Sequence, residues 1–139
     1  VGEPLRIGIV GAGKISGAYL TTLNGLTSVQ LTAVTDLDRD RAVSLAAEGT
    51  AGGAGNGKEV AVVGSVAELV ARDDVDAVLN LTIPAAHAEV ALAALGAGKH
   101  VYGEKPLAVD QKEAEAVLGA ARAAAALRVG CAPDTVLGT

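Results

Sequence analysis

The stretch LRIGIVGAGKISG, residues 5–17, decides the fold. Leu5, Ile7, Ile9 and Val10 form a short apolar run almost free of charge, the pattern of a strand buried on both faces within a helix-covered parallel sheet. The run stops at Gly11-Ala12-Gly13. Ile15, Tyr19, Leu23 and Leu26 then recur at three- and four-residue spacing, which predicts a helix over 14–25 packed on that sheet. The order is strand, glycine turn, helix.

A helix start carries unpaired backbone N–H groups and partial positive charge, so it can hold a pyrophosphate without a side-chain cation. In the G-x-G-x-x-G/A pattern Gly11 permits the tight turn, and Gly13 permits close approach of backbone to phosphate. Ser16 occupies the third position and is small enough for close helix–strand packing. In this context the motif reads as a dinucleotide site, against the alternative of a plain strand-to-helix turn.

Working outward, 139 residues with 50% apolar content suffice for one complete core, and a single domain is expected. A net charge of −5 and a pI near 4.9 exclude a nucleic-acid footprint, because no basic stripe is available to displace counterions. No apolar run is long enough to predict a membrane span, and the N-terminus has no basic region followed by an apolar core, so a cytoplasmic location is expected. The lone Cys131, in an apolar run, reads as a small core residue. Two histidines without ligand-like spacing predict no metal site. With Phe, Trp and Met absent, packing rests on Val, Leu, Ile and Ala.

Further along, 30–35 (QLTAVT) predicts a second strand and 38–48 a short helix. Residues 49–57, GTAGGAGNG, read as a mobile surface loop because so many glycines favour neither helix nor strand. A strand over 60–64 precedes Ser65, an N-cap with Glu68 as its capping-box partner. Residues 76–83 (DAVLNLTI) form a fourth strand stopped by Pro84, and 87–95 an alanine-rich helix closed by Gly96 and Gly98. A fifth strand over 100–103, a helix from 110 to about 126 and a sixth strand over 127–131 complete the series. This alternation predicts a doubly wound parallel α/β sheet of about six strands with helices on both faces. Such sheets bind ligands beyond the carboxyl ends of their strands, where Gly11, Asp36, Pro84 and Glu104 all fall.

Two further motifs fail on inspection. Residues 52–58 fit G-x-x-x-x-G-K, but Glu59 stands where a hydroxyl must bind magnesium, and the segment precedes a strand. Asp36, Asp38 and Asp40 imitate the start of a calcium loop, yet Arg41 and Ala47 occupy the positions needing glycine and glutamate. Asn80-Leu81-Thr82 is formally a glycosylation acceptor, but inside a buried strand.

Asp36 ends the second strand a little over 20 residues after the glycines, where a carboxylate can accept hydrogen bonds from adenosine ribose hydroxyls. Its charge repels a 2′-phosphate and favours NAD, while Lys14, Arg39 and Arg41 keep NADP open. Lys105, between Glu104 and Pro106, reads two ways: a partly desolvated lysine exchanging protons with a substrate hydroxyl or polarising a carbonyl, or a surface lysine paired with Glu104. His87, in the first turn of a helix at the same rim, can contact substrate or nicotinamide, or be an exposed helix-start residue.

GAGKIS at 11–16, VTD at 34–36, TIPAAH at 82–87, AGKHVYGEKPLA at 97–108 and GCAPD at 130–134 together resemble the N-terminal half of the glucose-fructose oxidoreductase and inositol dehydrogenase (Gfo/Idh/MocA) family. The AGKHVxxEKP segment is far more specific than the glycine turn. The resemblance implies that Gly11, Gly13, Lys14 and Ile15 line the pyrophosphate turn and Asp36 holds the adenosine ribose. It implies further that Thr82, Pro84 and His87 border the nicotinamide ribose, and that Glu104 and Lys105 lie beside the nicotinamide, with Lys105 catalytic or substrate-orienting. It also implies NAD(P)-dependent hydride transfer at a hydroxyl carbon of a sugar, cyclitol or similar compound by a homo-oligomer. Ala85, where a second proline is common, and Ser16 depart from the pattern. The expectation is a Rossmann domain over 1–139, with the family's substrate and oligomerisation domain absent. The alternative is a non-catalytic module sensing a dinucleotide or sugar, in which Lys105→Ala leaves biological activity intact.

Overall fold

The computed structural model describes residues 2–133. Six strands form one parallel sheet: β1 (Leu5–Val10), β2 (Val29–Thr35), β3 (Ala61–Val62), β4 (Ala77–Asn80), β5 (His100–Gly103) and β6 (Val129–Cys131), in the spatial order β3-β2-β1-β4-β5-β6. The helices between them are α1 (Ser16–Asn24), α2 (Arg39–Gly52), α3 (Val66–Val70), α4 (His87–Gly96) and α5 (Gln111–Ala123). This is the doubly wound α/β arrangement that the alternation predicts.

Alternating strand residues feed two cores. Ile7, Ile9, Leu31 and Leu79 pack with Leu20, Leu23 and Leu45 of α1 and α2. Val10, Ala33, Val78 and Val101 pack on the other face with Leu69, Val90 and Val117 of α3, α4 and α5. Each fully buried Val, Leu or Ile contributes about 1.5–3 kcal/mol, so aliphatic burial alone builds both layers.

The β1–β2 register skips at one point, pairing Ile7 with Leu31 but Gly8 with Ala33. Thr32 is the extra residue, and its buried hydroxyl donates to the Ile7 carbonyl at 3.2 Å. This bulge breaks the two-residue period, which is why Leu31 and Ala33 face opposite cores.

The glycine-rich segment corrects the mobile-loop expectation for 49–57. α2 continues through Gly49 to Gly52, capped at its start by the Asp38 carboxylate, which accepts from the Asp40 and Arg41 amides. A Cβ at Gly49 would lie 3.0 Å from Leu31, so this glycine serves close packing, and burial outweighs its poor helix propensity. The turn that follows is pinned. Ala54 is buried, its carbonyl accepts from Leu31 N at 2.8 Å, and its N–H donates to Asn24 Oδ1 at 3.1 Å. The G-x-x-x-x-G-K imitation thus spans a helix end and a turn. Other bounds differ by a few residues: α1 starts at Ser16, α5 ends at Ala123, and β4 covers only four of the eight residues expected. The Ser65 cap forms as expected, its hydroxyl accepting from Glu68 N, while the Glu68 carboxylate returns to Gly64 N.

Candidate dinucleotide site

The strand registers bring the candidate residues to one edge. Val10 pairs with Thr35 on one side and Asn80 on the other, and Asn80 pairs with Gly103. Gly11, Asp36, Leu81 and Glu104 therefore leave the sheet side by side, and the Gly11, Leu81 and Glu104 amides still donate to Thr35, Val10 and Asn80 carbonyls.

The two glycines do different work. Gly11 has φ +101°, and a Cβ there would lie 2.6 Å from the Leu81 carbonyl oxygen, so no side chain fits. At Gly13 an added Cβ meets nothing within 4 Å. The space above Gly13 is open, as the close approach of a diphosphate requires. Ile15 caps α1 without a side-chain hydrogen bond, while the Ser16 and Ala18 amides donate to the Gly13 and Ile15 carbonyls at 3.2 and 3.1 Å. Ser16 is buried and donates its hydroxyl to the Gly13 carbonyl at 2.6 Å, closing the turn from beneath.

Asp36 is tied to this turn. Its Oδ2 accepts from Ala12 N at 2.6 Å and its Oδ1 from Asp38 N at 2.7 Å. A carboxylate offers about four lone-pair sites, so two N–H donors leave capacity for ribose hydroxyls. Beside the turn lies an open depression of about 390 Å³ lined by Gly13, Lys14, Arg41, Ser44 and Glu48, among others. Its charges are mixed, with two cations balanced by Glu48 and Asp40.

The far half of the rim is built by β4 and β5. Thr82 is half-buried and Pro84 exposed, opening a 3-10 turn (Pro84–Ala86) that leads into α4. Lys105 is exposed and Glu104 half-buried. The Lys105–Pro106 peptide is cis. His87 is only 3% exposed, which overturns its reading as an exposed helix-start residue. Its Nδ1 lies 2.6 Å from the Pro106 carbonyl and its Nε2 2.7 Å from the Thr82 carbonyl. The cleft beside it, about 10 Å³, has room for a water at most.

Two residues that sequence reasoning missed complete the site. Tyr19 donates its hydroxyl to the Glu104 carboxylate, linking α1 to the β5 loop; burial and that carboxylate push the phenol pKa up. Asn80, 2% exposed, donates to the His87 carbonyl at 2.9 Å and accepts from the Thr82 hydroxyl at 2.7 Å. An amide at the end of an apolar run was the available signal, since a buried polar side chain must find partners. Cys131 is half-buried, its thiol against the Glu104 carbonyl, and burial raises its pKa away from the nucleophilic thiolate.

Known proteins share this fold. Inositol 2-dehydrogenase 3 of Saccharopolyspora erythraea is 39% identical over 110 residues, covering 78% of this chain and 30% of the relative. The scyllo-inositol 2-dehydrogenase (NADP(+)) of Bacillus subtilis is 34% identical over 119 residues, or 86% and 34% of the two chains. Among solved structures, scyllo-inositol dehydrogenase from Lactobacillus casei with bound NAD(H) and scyllo-inositol superposes with a TM-score of 0.80 at 25% identity, over 92% of this chain and 36% of that one. A 3-ketoreductase from Actinomadura kijaniata in complex with NADP and TDP-benzene gives 0.71 at 35% identity, over 87% and 35%. The chain spans about a third of the length of the relatives it matches. The family model for the oxidoreductase family with an NAD-binding Rossmann fold matches residues 5–130. With the open glycine turn, the acidic end of β2 and the EKP loop all on one rim, this chain belongs to that Gfo/Idh/MocA oxidoreductase family.

Proposed function

We propose that the chain is the dinucleotide-binding part of an NAD(P)-dependent oxidoreductase that transfers hydride between nicotinamide and a hydroxyl carbon of a sugar, cyclitol or similar compound. The observation that supports this reading is the Ala12–Asp36 hydrogen bond of 2.6 Å, which holds a carboxylate against the turn whose next glycine opens to solvent. Bound nicotinamide supplies a carbon that accepts or releases hydride. The amides of the glycine turn, Gly13 among them, bind the diphosphate, with Lys14 and Ile15 lining the turn. Asp36 accepts the adenosine ribose hydroxyls and favours NAD over NADP through charge repulsion of a 2′-phosphate. Thr82 and Pro84 border the nicotinamide ribose, and Glu104 lies beside the ring. Lys105 Nζ gives or takes the proton of the reacting hydroxyl, or polarises the carbonyl that replaces it. The whole protein works as a cytoplasmic homo-oligomer.

Titrating the chain with NADH while following nicotinamide fluorescence tests the cofactor half of this reading. Saturable binding is expected, tighter for NADH than for NADPH; none at millimolar cofactor would defeat it. In a protein that includes a substrate-binding part, Lys105→Ala is expected to abolish turnover while NADH still binds.

A further inference from the structure

We propose that His87 is a positioning residue for Lys105: its imidazole fastens the carbonyl of Pro106, the next residue in the chain, to the start of α4 beside the Thr82 loop, so that the two walls of the nicotinamide half hold one spacing. The inference rests on the functional reading above for the identity of that half, but its geometry stands on its own.

The 104–110 segment leaving β5 has no regular secondary structure, and Lys105 and Pro106 are both exposed. Lys105 and Pro106 are adjacent on this strap, so whatever fixes the Pro106 carbonyl also limits where the Lys105 backbone sits. The inner end of the bracket is rigid. His87 opens α4, its carbonyl accepts from Asn80 Nδ2, Asn80 Oδ1 accepts from the Thr82 hydroxyl, and the Thr82 carbonyl faces His87 Nε2 at 2.7 Å. Asn80, Thr82 and His87 thus form a ring of contacts around the end of β4, tied by the two Asn80 bonds whichever imidazole nitrogen carries the proton. The contact of 2.6 Å from His87 Nδ1 to the Pro106 carbonyl leaves that ring and reaches the strap.

The chemistry of the contact is one-directional. Carbonyl oxygens only accept, so a ring nitrogen that bonds one must carry a proton; a neutral imidazole fastens one of the two carbonyls, and an imidazolium both. Since His87 is 3% exposed and both nitrogens face protein carbonyls, neither ring nitrogen is left to hydrogen-bond a ligand. Its effect on chemistry passes through Thr82 and Lys105.

The test begins with the unmodified 139-residue chain, labelled with 15N. His87 is expected to show a ring N–H in slow exchange with water, assigned against a His100→Gln variant, since His100 is the only other histidine. A His87 ring with no N–H protected beyond solvent rates would overturn the proposal. In His87→Ala, the Lys105, Leu107 and Ala108 amides are expected to lose order while β4 and α4 keep theirs, and His87→Gln, which retains an N–H donor, should restore part of it. NADH affinity should fall about tenfold in His87→Ala, with ADP-ribose affinity held within about twofold. Equal losses for both ligands, or an unchanged strap in a folded variant, would reduce His87 to a packing residue and sink the proposal. If His87→Ala does not fold, the wild-type N–H and the His87→Gln strap decide. If the wild-type chain binds neither NADH nor ADP-ribose, the functional reading falls, and the N–H and strap measurements still decide the bracket.

Discussion

At the scale of single residues, Gly11 and Gly13 separate shape from ligand. Gly11→Ala adds a Cβ 2.6 Å from the Leu81 carbonyl in a left-handed conformation, and is expected to cost about 2–3 kcal/mol in chemical denaturation. Gly13→Ala meets no protein atom, so stability should stay within about 1 kcal/mol while NADH affinity falls about tenfold or more. If both variants lost stability alike, the space above Gly13 would not be the diphosphate seat. Both glycines were legible from spacing, because the tight turn and the open approach belong to one local motif. Tyr19 was not: its partner Glu104 lies 85 residues away, and nothing in the helical stripe distinguishes a core tyrosine from one that reaches across a rim. His87 was legible as a site residue, but its burial was not, since that depends on where the strap after β5 returns.

At the scale of elements, hydrophobic period and capping chemistry identified each strand and α-helix among the described residues but not the 3-10 turn at Pro84–Ala86, and they failed where tertiary contact overrides composition. The stretch at 49–57 looked unstructured because local propensity weighs glycine as freedom, whereas α2 uses Gly49 to approach β2. The turn after α2 is held partly by the Thr50 hydroxyl, which accepts from the amide of buried Val60 at 2.9 Å. Thr50→Val keeps the shape and removes the acceptor, so unfolding free energy should drop by about 1–2 kcal/mol, the cost of an unsatisfied buried N–H. An unchanged denaturation midpoint would mean that the amide finds another partner. The Thr32 bulge was equally hidden, because the adjacent apolar pair Ala33-Val34 in QLTAVT fits a strand buried on both faces as well as it fits a bulge.

Over the whole molecule, the sheet divides its labour between two ends. Ligand candidates gather at the carboxyl ends of the strands, while the amino end is clasped by Asp76, which accepts from the Arg6 backbone N–H and from its guanidinium at 2.8–3.0 Å. The hydrogen bonds from Arg6 hold the Asp76 carboxyl below its ordinary value of 3.8, and Arg72 acts likewise on Asp74. A lowered carboxylate contributes stability that is complete above its unfolded value and is lost as pH falls through the folded one. Asp76→Asn should therefore melt below the wild type at pH 7, with the gap closing on acidification below about pH 4, and NADH affinity should be untouched; calorimetry at several pH values checks this. Strand order was legible because right-handed crossovers and alternating elements leave few topologies.

The short bond from Ala12 to Asp36 carries a consequence for anyone who would retune this protein. The side chain proposed to set selectivity between the two phosphorylation states of adenosine is also the peg on which the loop hangs. Asp36→Ser, the obvious route to accepting NADPH, strips away that peg, so thermal tolerance should decline together with discrimination. Asp36→Asn keeps an acceptor oxygen while discarding the charge, and should relax the NADH over NADPH preference about tenfold with less loss of melting temperature. Selectivity and robustness are soldered together at this point, and a designer must supply a replacement acceptor before prising them apart.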